Sequence, residues 1–88
     1  FVSMLPDYYN RLKEAGYESL ANELLEFAVE QGADSKNVYS LLASAYISKS
    51  KADRLAELIE KAKQLNSLSR DGIVSMLESL EADAASDR

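Results

Sequence analysis

Eighty-eight residues, 47% of them hydrophobic and 28% charged, suffice for one small domain and fit neither a disordered segment nor a membrane span. The chain has no cysteine and no histidine, which excludes disulfides, thiol nucleophiles, zinc clusters and histidine acid–base chemistry. The net charge of −5 is unevenly placed: residues 1–35 carry seven acids and two bases, residues 36–66 three acids and six bases, and the remainder turns acidic again.

The opening run Phe1-Val2-Ser3-Met4-Leu5 is short and stops at Pro6, so it reads as neither a signal peptide nor a transmembrane helix. Without an initiator methionine, the chain is expected to be a fragment of a longer protein. Met4, Leu5, Tyr8, Tyr9 and Leu12 form an amphipathic stripe and predict a helix over 3–16, with Pro6 acceptable in its first turn. Leu20, Ala21, Leu24, Leu25, Phe27 and Ala28 repeat the spacing of three and four and predict a second helix over 17–31, closed by Gly32. The Ala15-Gly16 turn between them admits only an antiparallel pair.

Asp34 or Ser35 caps a third helix over 35–48, carrying Val38, Tyr39, Leu41, Leu42, Ala45 and Tyr46. Ser50 and Asp53 resemble a capping box that opens a fourth helix over 51–65, with Leu55, Leu58, Ile59, Ala62 and Leu65 on its apolar face. A polar connector over 67–71 leads to a terminal helix over 70–82 with Ile73, Val74, Met76, Leu77 and Leu80. Residues 83–88 lose the apolar period and read as a polar acidic tail, so the repeat domain is expected to span 1–82, with hairpins over 3–31 and 35–65.

The spacing between these elements is regular. A shift of 34 residues lays Glu23-Leu24-Leu25-Glu26 on Glu57-Leu58-Ile59-Glu60, Ala28 on Ala62 and Gly16 on Ser50; a shift of 35 lays Ser40-Leu41-Leu42 on Ser75-Met76-Leu77. Two helices per unit at this period is the signature of a helical-hairpin array, in which each unit buries its apolar faces against its neighbours.

On these residues the run Asn37 to Tyr46, followed by Lys51 to Asn66, resembles one pentatricopeptide repeat; the tetratricopeptide repeat is the second resemblance. Leu12 to Gly16 with Ala21, Glu23 to Glu26 and Gly32 is similar to the second half of another such unit, so the likeness spans roughly residues 8–80. It implies an all-α right-handed superhelix of about two and a half hairpins in a mitochondrial or chloroplast protein that binds single-stranded RNA, one base per repeat. The base-reading position after the first helix's aromatic residue falls on Ser40 and Ser75. The closing reader, Asp or Asn in the family, falls on Ser35 and Arg70, with Asp34 and Asp71 one place away.

Lys49, Lys51, Arg54, Lys61 and Lys63 could form a phosphate-contacting stripe; the alternative is a solvated helix face with Glu57 and Lys61 as an i,i+4 pair. A tetratricopeptide-like module would instead hold a partner protein in a groove formed by Tyr39, Tyr46 and Leu80. The tyrosines could alternatively stack on bases, though at helical spacing they read as core or groove residues. Glu23 and Glu26 lie on what reads as an exposed face where nothing would raise a pKa, so no catalytic role is expected. The resemblance thus implies the C-terminal part of a pentatricopeptide-like organellar RNA-associated scaffold that binds RNA, a partner protein or both. The alternative is a tetratricopeptide-like protein-interaction module without RNA contact, and neither is expected to be an enzyme or to take a cofactor, metal or membrane partner.

Overall fold

The computed structural model describes the backbone of residues 2–86 and the side chains of 3–86. A single 3-10 turn, Val2–Met4, leads into α1 (Leu5–Glu14), followed by α2 (Glu18–Glu30), α3 (Lys36–Ser48), α4 (Ala52–Lys63) and α5 (Arg70–Ser86), with no strand among the described residues. Helix α3 is central: it packs on α1, α2, α4 and α5, while α1 pairs with α2 and α4 with α5. The Cα envelope measures 33 × 31 × 15 Å. Two helix layers with axes about 10 Å apart, each of Cα radius about 2.3 Å, give that thickness.

Local chemistry accounts for the ends of the helices. Pro6 and Asp7 sit in the first turn of α1 and Arg11 and Lys13 in its last, which places each charge at the favourable end of the helix dipole. Helix α3 begins where the Ser35 hydroxyl accepts a hydrogen bond from the Val38 N–H at 3.4 Å, so of the two expected caps Ser35 takes the role.

Three helices end in the same motif. After α1, the Gly16 N–H donates to the Lys13 carbonyl (3.0 Å) and the Tyr17 N–H to the Leu12 carbonyl (2.8 Å). After α3, 34 residues on, Ser50 donates to Ile47 (3.1 Å) and Lys51 to Tyr46 (2.8 Å). These are the paired bonds of a Schellman C-cap, and the same pair closes α2 at Gly32 and Ala33. The motif requires a left-handed residue, supplied by Gly16 at φ 92°, Gly32 at φ 90° and Ser50 at φ 57°.

The Ser50–Asp53 capping box does not form: the N-cap of α4 is Lys51, without a side-chain bond. Ser50 is instead committed to closing α3. A non-glycine residue there strains the backbone by about 1–2 kcal/mol, partly offset by its lower freedom in the unfolded chain. Ser50→Gly should therefore stabilise the protein by roughly 0.5–1 kcal/mol, raising the melting temperature by a few degrees, whereas Gly16→Ala should lower it by a similar amount. A Cβ at Gly16 meets nothing within 4 Å, so the cost would be of backbone origin alone. Thermal melts of the two variants check both signs.

The core follows the expected stripes and narrows them. Leu5, Leu25, Val38, Tyr39, Leu42, Ile73 and Leu77 are the largest fully buried side chains. Met4, Tyr8, Leu20 and Phe27, placed on buried stripes by periodicity, are exposed instead, because α1 and α2 bury only the inner part of each apolar arc. At a shift of 34, Leu5 and Tyr9 correspond to buried Tyr39 and Ala43, and Leu25 and Ala28 to buried Ile59 and Ala62, while exposed Met4 and Tyr8 fall on buried Val38 and Leu42 and buried Val29 falls on exposed Lys63. The larger shift of 35 between α3 and α5 has a plain cause. Five residues separate α2 from α3, and six separate α4 from α5.

Helix α5 runs four residues past the expected stop at 82, to Ser86. Ala82, Ala84 and Ala85 are strong helix formers and no breaker intervenes, so loss of the apolar period did not end the helix. Of the expected polar tail over 83–88, residues 83–86 are thus helical, and 87 and 88 lie outside the described residues.

Candidate functional site

The joint between the hairpins carries the most organised polar chemistry. The Tyr46 hydroxyl of α3 donates to Glu26 Oε2 of α2 at 2.7 Å, and Arg54 Nη1 of α4 lies 3.5 Å from the same oxygen. One carboxylate thereby links three helices. Beside it Lys49 Nζ stands 3.1 Å from Glu18 Oε1. Glu26 is therefore not on an open face, as periodicity suggested: it flanks the buried stripe of α2 on the side turned to α3. A cleft of about 300 Å³ opens above this group, lined by Asn22, Glu23, Glu26, Lys49, Lys51 and Arg54 among others. Within α2 the Asn22 amide oxygen is buried without a hydrogen-bond partner among the described residues.

Burial raises the pKa of the Tyr46 phenol, and the hydrogen bond to Glu26 and its charge raise it further; Arg54 opposes them. Because the folded protein holds this proton more tightly than the unfolded chain, the associated stability is complete below the ordinary value of 10.0 and declines as pH rises above it. Tyr39 shifts in the same direction, through burial and then the charge of Asp34. Tyr46→Phe should cost about 1 kcal/mol at neutral pH, a hydrogen bond's net worth where water can still reach the acceptor. The variant should also lose stability less steeply above pH 10 than the parent, which melting curves from pH 7 upward would read.

The residues expected to contact RNA divide between two places. Lys49 and Lys51 border the cleft just described, with Glu23 and Glu26 on its other wall. Lys63, Arg70 and Ser75 meet around a second, shallow depression of about 200 Å³ with Asp71, Val74 and Glu78. Ser40 is half-buried on α3 and borders neither.

Carboxylates attend most of these bases. Lys63 Nζ is 3.0 Å from Glu60 Oε2, and Arg70 Nε is 3.2 Å from Asp71 Oδ1. Glu60 raises the Lys63 pKa by its hydrogen bond and then by its charge. The pair along α4 is thus Glu60 with Lys63 at i,i+3; among the described residues the expected Glu57 and Lys61 do not come within ion-pair distance. Lys51 has no carboxylate within that distance among the described residues.

The expected protein groove does not assemble. Tyr39 is 1% exposed and belongs to the core, so no partner reaches it without opening the molecule. The Tyr46 hydroxyl is engaged by Glu26, and Leu80 is half-buried against the core on α5.

What the sequence reading did not mark is the outer side of the first hairpin, where Tyr17, Leu20 and Phe27 stand exposed. A signal existed: the shift of 34 lays Leu20 and Phe27 on Arg54 and Lys61. Positions that the second hairpin fills with cations are not core positions.

Among the described residues no group of three His, Cys, Asp or Glu side chains could hold a metal ion, and no helix is long and apolar enough to cross a membrane. Set against protein-family models, curated proteins and solved structures, the chain matches none of them.

Proposed function

We infer that this chain is a non-catalytic, helical-hairpin scaffold that binds protein. In this reading α1–α2 and α3–α4 are successive units of a right-handed superhelical array, and α5 is the first helix of a third. The same hydrogen-bonded turn at Gly16 and at Ser50 and the burial shared by the inner positions 34 apart (Leu5 with Tyr39, Leu25 with Ile59, Ala28 with Ala62) support it.

The observation that carries protein over RNA is the company kept by the bases. Lys49, Lys63 and Arg70 each lie within 3.2 Å of a carboxylate of the same chain. Exposed ion pairs are individually weak, about 0–1 kcal/mol, but each adjacent carboxylate cancels the local positive potential that a phosphate backbone requires. The net charge of −5 acts in the same direction at longer range.

A second reading is favoured by one arrangement: Lys63, Arg70 and Ser75 gather at one depression. It would make the chain a pentatricopeptide-like RNA-associated scaffold of mitochondria or chloroplasts, with Ser75 as a base reader. Titration of the chain against a labelled mixed pool of single-stranded RNA, followed by fluorescence anisotropy, separates the two. The protein reading expects no binding even at low salt. Binding that weakens with salt and is lost in Lys63→Glu with Arg70→Glu would replace it with the RNA reading.

A further inference from the structure

The outer face of the first hairpin is apolar where the same face of the second is charged. Around α2 the residues fall into three sets by helical spacing. Ala21, Leu25 and Ala28 point inward and are buried; Asn22 and Glu26 take the flank toward α3 and α4; Tyr17, Leu20, Leu24 and Phe27 take the opposite flank. Tyr17, Leu20 and Phe27 are 60%, 51% and 54% exposed, and on α1 Met4 and Tyr8 are 50% and 38% exposed. Leu12 and Leu20 are equidistant in sequence from Gly16, as are Tyr8 and Leu24. An antiparallel turn centred there sets them level along the hairpin, and the residues 34 on from Tyr8, Leu12, Leu20, Leu24 and Phe27 all line one depression, which places these five on one face.

The chain itself indicates what such a face does. A shift of 34 lays Tyr8 and Leu24 on Leu42 and Leu58, which are buried, and Leu12 on Tyr46. Leu42, Tyr46 and Leu58 line the joint where the second hairpin seats on Glu26 and Glu30 of the first. Arg54 and Lys61 border the same joint, across from those acids. The first hairpin therefore carries the joint surface with both cationic positions replaced, by Leu20 and Phe27. Its complement is an apolar helical face, not an acidic one.

We propose that a second copy of this chain covers the patch, the α1–α2 hairpin of one copy packing on that of the other about a two-fold axis. A two-fold contact needs a self-complementary surface, and an apolar patch carrying no cation in place of Arg54 and Lys61 meets that condition. A head-to-tail contact would set it against α5, where Glu78 and Glu81 are exposed. The patch leaves on the order of 500 Å² of apolar surface per copy, at the upper end of what monomers expose. Two copies would together bury about 1,000 Å², the lower bound of a specific interface. The proposal goes beyond the scaffold reading and rests on other residues, so an RNA titration and a test of this contact can fail independently.

Sedimentation equilibrium of the full chain tests it, over concentrations up to about 100 micromolar, where a contact of even about 8 kcal/mol would be populated. The mass should rise from 9.7 kDa toward twice that value as concentration increases. Leu20→Glu with Phe27→Glu should remain monomeric with an unchanged far-ultraviolet circular dichroism spectrum, since both side chains are exposed. Leu68→Glu, at a fully exposed apolar residue outside the patch, should dimerise like the parent. A parent chain that stays monomeric at every concentration overturns the proposal and returns the face to a different helical partner; so does a dimer indifferent to Leu20→Glu with Phe27→Glu.

Discussion

Tyr39→Ala should remove a large fraction of the protein's stability, more than any other single truncation in the core. Tyr39 is the largest of the fully buried side chains and sits on α3, the helix that touches all four others. Removing a buried aromatic costs about 3–5 kcal/mol, the lost transfer energy plus the cavity left behind. A chain of this size is stable by roughly 4–13 kcal/mol in total, so the loss is a large fraction of the whole. Urea unfolding should show the midpoint collapse, with Tyr39→Phe retaining most of the stability because the packed ring remains. A Tyr39→Ala variant within about 1 kcal/mol of the parent would mean that α3 is not the hub of the fold.

Leu77→Asp should act differently, by releasing one helix. Ile73 and Leu77 are the fully buried anchors of α5, with Val74, Met76 and Leu80 partly covered beside them. An isolated carboxylate in that position would cost several kcal/mol of desolvation, a penalty that release of α5 to solvent removes. Since α5 packs chiefly on α3 and α4, undocking leaves the α1–α2 pair and its joint to α3 in place. Hydrogen exchange should therefore show lost protection over residues 70–86 and retained protection in α1 and α2. Uniform loss across all five helices would contradict a structure built from separable layers.

Much of this architecture is legible in the sequence because it depends on short-range patterns. Five apolar stripes predicted five helices. Gly32 marked a left-handed cap, and matched sequence runs exposed the 34-residue register, down to the correspondence of Gly16 with Ser50. Ser50 also shows where local reading fails: a serine three residues before an aspartate signals an N-cap, yet the tight turn needed that residue to close the preceding helix. Leu20 and Phe27 failed for another reason. Periodicity gives an apolar arc but not which part of it meets a neighbour, and the neighbour that decides lies elsewhere in the chain.

The candidate site was less legible than the fold. Glu26 is one of four glutamates on its helix, and nothing local says that Tyr46, 20 residues on, donates to it. Tyr39 and Tyr46 occupy similar pattern positions seven residues apart, yet one is core and the other sits at the hairpin joint. Family resemblance placed Arg70 and Ser75, and the structure does bring them near Lys63; it also brings Asp71 and Glu78, whose charges the resemblance did not weigh.

Equivalence of the two hairpins, turn for turn at a spacing of 34 residues, rests on the paired hydrogen bonds that close α1 and α3. Amide hydrogen exchange at Tyr17 and Lys51 tests it most directly, because both amides lie outside the helices yet donate at 2.8 Å to carbonyls of the preceding one, Leu12 and Tyr46. Both should exchange slowly, at rates comparable to helical amides of the adjoining turns. Free exchange at Lys51 with protection at Tyr17 would show that Ser50 does not close α3 as Gly16 closes α1, and the equivalence of the two hairpins would fall.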